Sequence, residues 1–399
     1  MKEPFVVMAK PVGSRCNMKC HYCYYLDKGQ YSIHEKQARM SFSLVERLIQ
    51  ETIEASSGPV VSFVWHGGEP TIAGIDFYKK VVELEKKHLP EGWAVWNNLQ
   101  TNGLLINDAW AKFLKENRFD VGLSMDGAKW VHDKNRPDAG GNPTYNKICR
   151  NVEKLRKAGV HVDFLCTVSS DSAEDPLGVY QGLKNLGAEW MQFIPIVVRK
   201  EDGSFAKESV TPEKYGDFLI AVFDEWVRKD LGKLDVQLFA ETAKVWAGGE
   251  ASLCWMAPTC GRALIAEEDG GIYSCDHFVD YEHRLGTLGS SVPGPDGTEV
   301  YKTLEDMLES GAQKAFGNYK RDGLTKECRE CNYRSCCNGG CPKDRFGLSK
   351  DGEEGQYYLC DGLKKFFAHA DPILHEIMKL STEGKSPNEI MKIIAESVH

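Results

Sequence analysis

Cys16-Asn17-Met18-Lys19-Cys20-His21-Tyr22-Cys23 is a C-x3-C-x2-C loop that follows the apolar run 5–9. Three thiolates this close converge on one inorganic centre, and they are one fewer than the four that close a cubane iron–sulfur cluster. One iron of such a cluster stays open. A catalytic metal likewise keeps a position free for a small ligand where a structural metal does not. A zinc knuckle could use the same thiolates, but it needs a fourth ligand, and His21 lies inside the tight loop where it cannot easily turn back.

The remaining cysteines are unevenly spread. Of fourteen, three stand in the first loop and nine between Cys254 and Cys360, with Cys149 and Cys166 alone in between. Disulfides are uncommon in long cytoplasmic enzymes, so metal or redox ligation accounts for them better, and two clusters of cysteines imply two modules. The second runs Cys254-x5-Cys260, then Cys275-Asp276, then Cys328-x2-Cys331-x4-Cys336-Cys337-x3-Cys341, then Cys360. Without one of the adjacent pair this is eight cysteines, enough for two fully ligated cubanes. Zinc ribbons also use C-x2-C pairs, and the second module alone leaves that reading open. Cys149 falls in a helical pattern and Cys166 in a strand, both expected to be buried apolar residues.

Other marked residues lie between. In His66-Gly67-Gly68-Glu69-Pro70 the paired glycines let the backbone approach a ligand, and Glu69 can accept from an ammonium group, although Gly-Gly is often only a turn. Gln100-Thr101-Asn102-Gly103 and Ser124-Met125-Asp126-Gly127 repeat the pattern, with the Ser124 hydroxyl placed for a ribose contact. Arg136 on its own reads as a solvated loop arginine, Met191 as core and Asp276 as a turn cap.

The elements that must position these residues alternate. Strands are expected over 5–9, 60–65, 94–100, 121–124, 161–168 and 190–194, with helices over 44–55, 75–88, 108–116, 145–158 and 175–186 between them. Six β-α repeats read as a parallel sheet with helices outside it, an α/β fold whose natural closure is a partial (β/α)6 barrel. Chemistry in such folds sits at the C-terminal ends of the strands, where the marked residues fall. Thr211, with Pro212 and Glu213 after it, starts a helix, and amphipathic segments over 215–227 and 239–247 form a helical bridge. The stretch 282–302 reads as a long surface loop. Two amphipathic helices are expected from 371 to 399, the second capped by Ser386 with Glu389 three residues on.

The first motif, with an aromatic before its last cysteine and a strand ahead of it, resembles the radical S-adenosylmethionine enzymes. That resemblance implies a [4Fe-4S] cluster on Cys16, Cys20 and Cys23, with S-adenosylmethionine on the open iron. Tyr22, Gly68, Glu69, Ser124, Arg136 and Met191 would bind this cofactor: Gly68 and Glu69 at the methionine amino group, Arg136 near the carboxylate as a two-pronged guanidinium, and Met191 at the adenine. The second module resembles the SPASM domain. On that likeness Cys254, Cys260, Cys275 and Cys341 would hold one auxiliary cluster and Cys328, Cys331, Cys337 and Cys360 another, making three [4Fe-4S] clusters, with Cys336 spare or exchangeable with Cys337. Boundaries follow at 1–200 for the barrel, 201–250 for the bridge, 251–365 for the cluster domain and 366–399 for the last helices.

Within this class the sequence is most similar to the anaerobic sulfatase-maturating enzymes. The resemblance implies oxidation of a cysteine or serine in a sulfatase polypeptide to Cα-formylglycine, through a 5′-deoxyadenosyl radical that takes hydrogen from Cβ. It also implies Asp276 as the base, help from Tyr24 in positioning the peptide, and an electron donor such as a ferredoxin or flavodoxin. One departure stands out: His66 precedes Gly-Gly-Glu-Pro where sulfatase-maturating sequences carry Gln. The alternatives are a radical enzyme that crosslinks a ribosomal peptide precursor and a non-catalytic electron-transfer protein. The first often carries a leader-binding domain, for which four residues before Phe5 leave no room. The second does not explain an open three-cysteine site.

Composition agrees with a multi-part enzyme. The 399 residues are 42% hydrophobic and 27% charged with net charge −9, which supports a large core and argues against nucleic acid as a partner. No apolar run is long enough to span a bilayer and the N-terminus carries no signal-peptide pattern, so a cytoplasmic protein without a membrane partner is expected.

Overall fold

The computed structural model describes residues 3–26, 28–31, 39–293 and 299–397. In chain order, β1 (Val6–Ala9) is followed by α1 (Phe42–Ala55), β2 (Val60–Trp65), α2 (Ile75–His88), β3 (Ala94–Thr101), α3 (Asp108–Glu116), β4 (Asp120–Ser124), α4 (Lys129–Asn135), α5 (Tyr145–Lys157), β5 (Val162–Val168), α6 (Pro176–Asn185) and β6 (Trp190–Pro195). Then come α7 (Pro212–Lys229), β7 (Asp235–Val236), α8 (Gln237–Trp246), β8 (Ala263–Ala266), β9 (Gly271–Tyr273), β10 (Arg284–Thr287), β11 (Ser291–Pro293) and β12 (Glu299–Tyr301). The chain finishes with α9 (Leu304–Leu308), α10 (Gly311–Asp322), α11 (Lys326–Arg329), α12 (Arg334–Cys337), β13 (Gly347–Leu348), β14 (Glu354–Gln356), α13 (Cys360–Thr382) and α14 (Pro387–Ser397). Among the described residues no helix is long and apolar enough to cross a membrane.

Two compact units result: Met1–Leu123, Arg136–Val162 and Gly261–Asn318 form the first, and Ser124–Asn135, Asp163–Cys260 and Tyr319–His399 the second. In the first, strands lie in the order β10-β9-β8-β1-β2-β3-β4. β1 runs parallel to both β2 and β8, with Ala9 opposite Trp65 on one side and Ala266 on the other. Such register aligns the residues just past each strand end. Lys10, His66 and Glu267 therefore emerge side by side, fixed by Lys10 N–H to Ala266 O at 2.8 Å and His66 N–H to Ala9 O at 2.9 Å. β9 returns antiparallel to β8, with Tyr273 opposite Ile265, so the chain after it runs back toward the start of β8, and Asp276 meets Lys10 through its side chain. Strand side chains Val7, Phe63, Trp65 and Leu99 are fully buried.

The second unit contains parallel β5-β6-β7 and a helical layer in which Phe239 and Phe366 stack and Phe223 meets both edge-on. α13 crosses α7 so closely that a Cβ on Gly362 would lie 1.9 Å from Pro212 O, which glycine alone permits.

All six expected strands and five helices of the α/β region are present, with ends shifted by two residues at most. α4 is not among the expected helices: its seven mostly polar residues carry no cap signal, and it is held by contacts such as Asp126 N–H to His132 Nδ1 at 3.3 Å and, farther along the chain, Asn135 Nδ2 to Asp171 Oδ2 at 3.2 Å. The helix expected from 371 starts at Cys360 and runs through Pro372, which is accommodated inside it. Ser386 and Glu389 cap α14 reciprocally, Glu389 N–H reaching Ser386 Oγ at 3.4 Å and Ser386 N–H reaching Glu389 Oε2 at 2.9 Å; 398–399 lie outside the described residues. The supposed loop 282–302 instead holds β10 and the hairpin β11–β12, whose residues 294–298, with Gly294, Pro295 and Gly297, lie outside the described residues. Cys166 is buried as expected, whereas Cys149 is half-buried.

Candidate functional site

The cysteine loop leaves β1 at its C-terminal end and is tied down by the backbone of 136–139. Lys19 N–H reaches Pro137 O at 3.0 Å, Ala139 N–H reaches Asn17 O at 2.9 Å, and Arg136 Nη1 donates to Tyr22 OH at 3.0 Å. Arg136, read alone as a solvated arginine, is therefore buried at the loop. Burial first, then the charges of Glu69, Cys20 and Cys23, push the Cys16 thiol up to about 12, while Met18 N–H at 3.3 Å from its sulfur works the other way. A buried thiol with such neighbours ionises when a cationic centre takes the thiolates together. Among the described residues no three His, Cys, Asp or Glu side chains are arranged around a single ion. A cubane spreads its thiolates over separate irons, so it does not ask for that arrangement.

Gly67 and Gly68 do allow a close approach, but to this loop. A Cβ on Gly68 would stand 2.2 Å from Arg15 O, and Gly67, at φ +117, would carry one 2.8 Å from Gly13 O. Gly68 N–H to Gly13 O at 2.8 Å and Glu69 N–H to Arg15 O at 2.9 Å complete the seam. Glu69 is fully buried: Thr71 N–H and Thr101 Oγ1 donate to Oε1 at 3.0 and 2.7 Å, and Asn102 N–H donates to Oε2 at 2.7 Å. Burial raises its pKa, and these donors oppose the rise. Oε2, with one protein donor, keeps capacity for another. Asn102 also ties Glu69 to the loop through Nδ2 to Asn17 Oδ1 at 2.8 Å.

At the aligned strand ends lies a second group. Lys10, fully buried, pairs through Nζ with Asp276 Oδ1, contacts His66 Nδ1 at 3.1 Å and stands 4.4 Å from the centroid of the Tyr25 ring. Tyr24 OH donates to Asp276 Oδ2, and Tyr25 OH to Glu267 Oε1. Burial alone would raise the pKa of Asp276. The charge of Lys10, followed by His66 and His277, outweighs it and holds the carboxyl well below the usual carboxylate range. His66 goes the other way: burial and then Lys10 lower it to about 3, so the ring is neutral. Its Nδ1 faces Lys10 Nζ and accepts Gly67 N–H at 2.7 Å, which places the proton on Nε2. Burial lifts Glu267 to about 8 against the pull of Lys10. The group opens outward at Tyr24, 43% exposed.

The second unit carries the rest. Ser124 ends β4, and Met191 is fully buried on β6 opposite Phe164. Cys328, Cys331, Cys337 and Cys360 line one small cavity, and Cys336 is not among its lining residues. Gln356 Nε2 donates to Cys360 Sγ at 3.0 Å. Cys260 and Cys341 each lie within electrostatic range of Cys254, while Cys275 belongs to the first unit. None of the fourteen cysteines is in a disulfide. Sequence reasoning missed Lys10, Tyr25, Glu267, Lys320 and Arg345. For Lys10 and Glu267 a signal existed, a charged residue directly after an apolar strand; the others carry none.

The sequence pattern of the radical SAM superfamily matches residues 11–181. A serine-type anaerobic sulfatase-maturating enzyme of Bacteroides thetaiotaomicron is 38% identical over 409 residues, covering 99% of this chain and 96% of that protein. A cysteine-type enzyme of the same name from Clostridium perfringens is 33% identical, covering 93% and 97%. Among solved structures, native anSMEcpe with bound AdoMet and Cp18Cys peptide superposes with a TM-score of 0.83 at 32% identity, covering 94% of this chain and 99% of that one. The fold is thereby the α/β partial (β/α)6 barrel class expected from the strand and helix pattern, and the chain belongs to the anaerobic sulfatase-maturating enzymes of the radical SAM superfamily.

Proposed function

We propose that this chain oxidises a cysteine or serine of a sulfatase polypeptide to Cα-formylglycine. The observation that carries the reading is Asp276, a carboxylate kept ionised by a buried lysine, met by Tyr24 and reachable from outside. Relatives at 38% and 33% identity bear serine-type and cysteine-type names, which supports either residue as the one oxidised.

Cys16, Cys20 and Cys23 would hold a [4Fe-4S] cluster, with Tyr22, Gly68, Glu69, Ser124, Arg136 and Met191 around S-adenosylmethionine. Bound together, these groups supply a 5′-deoxyadenosyl radical that removes one hydrogen atom from the substrate Cβ. The substrate thiol or hydroxyl then loses a proton to Asp276. A carboxylate is ordinarily a weak base toward such groups, but a radical on the adjacent carbon makes the proton far more acidic, so pKa matching is less demanding. Lys10 balances Asp276 before this step, and Tyr24 orients the carboxylate. The second electron needs an acceptor, which two auxiliary clusters would supply, one on Cys254, Cys260, Cys275 and Cys341 and one on Cys328, Cys331, Cys337 and Cys360. A serine substrate ends as the aldehyde directly. A cysteine substrate ends as a thioaldehyde, which water converts to the aldehyde with release of hydrogen sulfide. A ferredoxin or flavodoxin in the cytoplasm is the electron donor this chemistry calls for.

The test is anaerobic incubation of the reconstituted, reduced protein with S-adenosylmethionine and a peptide carrying Cys-x-Pro-x-Arg or its serine variant, read by mass spectrometry. Exchange of sulfur and hydrogen for an aldehyde oxygen, or loss of two hydrogens from serine, is the expected result. An unchanged peptide beside rapid 5′-deoxyadenosine formation would move the substrate elsewhere.

A further inference from the structure

The second unit buries two cations that no carboxylate balances among the described residues. Lys320 is fully buried, and its Nζ donates to Ala257 O and, at 3.4 Å, to Asn338 O. Arg345 is 8% exposed and gives Nε to Gly339 O at 2.7 Å, Nη1 to Lys320 O at 2.7 Å and Nη2 to Asn338 O at 2.8 Å. Every one of these acceptors is a neutral backbone carbonyl. Carboxylates on the same segments are engaged elsewhere: Asp344 takes Lys343 on both oxygens at 2.8 Å, and Glu327 takes Lys364 and Lys350. Among the described residues neither cation has an acidic partner, and the two charges repel one another.

Buried unpaired charge is costly, and two together more so. Apart from the Tyr319 phenol, the groups that can answer with negative charge are cysteines. Lys320 Nζ sits on the carbonyl of Ala257, between Cys254 and Cys260, and on that of Asn338, next to Cys337, while Arg345 holds the carbonyls of Asn338 and Gly339, and Gly339 lines the cavity of Cys328, Cys331, Cys337 and Cys360. The pair thus reaches both cysteine sets. As neutral thiols these cysteines balance nothing. As thiolates of iron–sulfur clusters they form anionic centres, and each centre gains a further negative charge on reduction.

We propose that Lys320 and Arg345 set the reduction potential of the auxiliary clusters. This rests on the reading that those cysteines hold clusters. Positive charge buried beside a cluster favours its reduced state and raises its potential, because the low-dielectric surroundings do not screen it. The consequence is a centre able to accept the electron that leaves the substrate after hydrogen abstraction. Lys320 and Arg345 are positioning residues in this sense: they act through the clusters and touch no substrate.

The test uses the full chain with Cys16, Cys20 and Cys23 replaced by Ala, so that only auxiliary clusters can assemble. Iron is counted, and potentials are read by redox titration with electron paramagnetic resonance. Absence of iron in this background overturns the auxiliary-cluster reading itself. With iron present, K320M and R345M are each expected to shift the one-electron equilibrium about tenfold toward the oxidised cluster, about 59 mV, while K320R and R345K stay near the parent. Unchanged potentials in K320M and R345M at equal iron content overturn the proposal. Should both neutral variants lose iron, retention by K320R and R345K upholds the charge requirement, and loss in all four variants overturns it.

Discussion

A carboxylate that accepts a proton works only while ionised, and at Asp276 that condition is met chiefly by Lys10. Replacing the base should separate radical formation from product formation. D276N is expected to lower formylglycine yield by about 10²–10⁴-fold while 5′-deoxyadenosine is still produced, both measured by mass spectrometry in one reaction. Lys10 has a different signature. It is fully buried against a carboxylate only 15% exposed, so K10M leaves an uncompensated charge and is expected to destabilise the fold toward the lower end of about 3–5 kcal/mol. The double variant K10M/D276N should recover much of that loss, because no charge is then stranded. Urea unfolding of the two single variants and the double checks the coupling, and additive losses would refute it.

At the scale of elements, two contacts decide whether the strand ends reach their places. The turn after β2 packs on the cysteine loop without room for a methyl group: a Cβ on Gly68 would meet Arg15 O at 2.2 Å. G68A is therefore expected to shift Cys16 and lose the iron of one cluster, about four of about twelve atoms, as counted after reconstitution. The other contact is the packing of α2 on β3. Glu85 is buried there with both carboxyl oxygens 3.0 Å from the donor Asn97 Nδ2, while Asn97 Oδ1 accepts Trp65 Nε1 at 2.7 Å. Burial lifts Glu85 from 4.5 to about 7, against the Asn97 donors. The folded state thus holds a proton that the unfolded chain has already released, and stability falls as pH rises from about 4.5 through about 7. E85Q removes this dependence. Its stability relative to the native chain should improve by on the order of 2–3 kcal/mol between pH 5 and pH 8, measured by urea midpoints at the two values. An equal difference at both would contradict it.

Over the whole molecule, the fourteen cysteines divide by environment. Cys337 lines the same cavity as Cys328, Cys331 and Cys360, whereas its neighbour Cys336 is buried away from it. C337S is expected to lose about four irons and C336S none, determined by iron and sulfide analysis of the reconstituted proteins. Loss in C336S alone would exchange their roles. The cations follow the same division: Lys10 stands by Asp276 in the first unit, while Lys320 and Arg345 lie among cysteines in the second.

What the sequence by itself determined is local. Thiol spacing marked the first loop, β-branched runs alternating with amphipathic ones marked six strands and five helices, and Ser386 with Glu389 marked a helix start. Each is written within a dozen or so neighbouring residues, where covalent spacing and side-chain periodicity act directly. The seven residues of α4 and the early start of α13 escaped, because one is held by a distant packing partner and the other runs through a proline. Only the tertiary structure decided the charges. Lys10 and Asp276 are 266 residues apart, and nothing near either one announces a buried pair. Their meeting depends on strand register, with β8 and β2 on the two sides of β1. The glycine pair was read as letting the backbone approach a ligand; the structure adds that it packs on the cysteine loop, a contact that exists only once the two strand ends are adjacent.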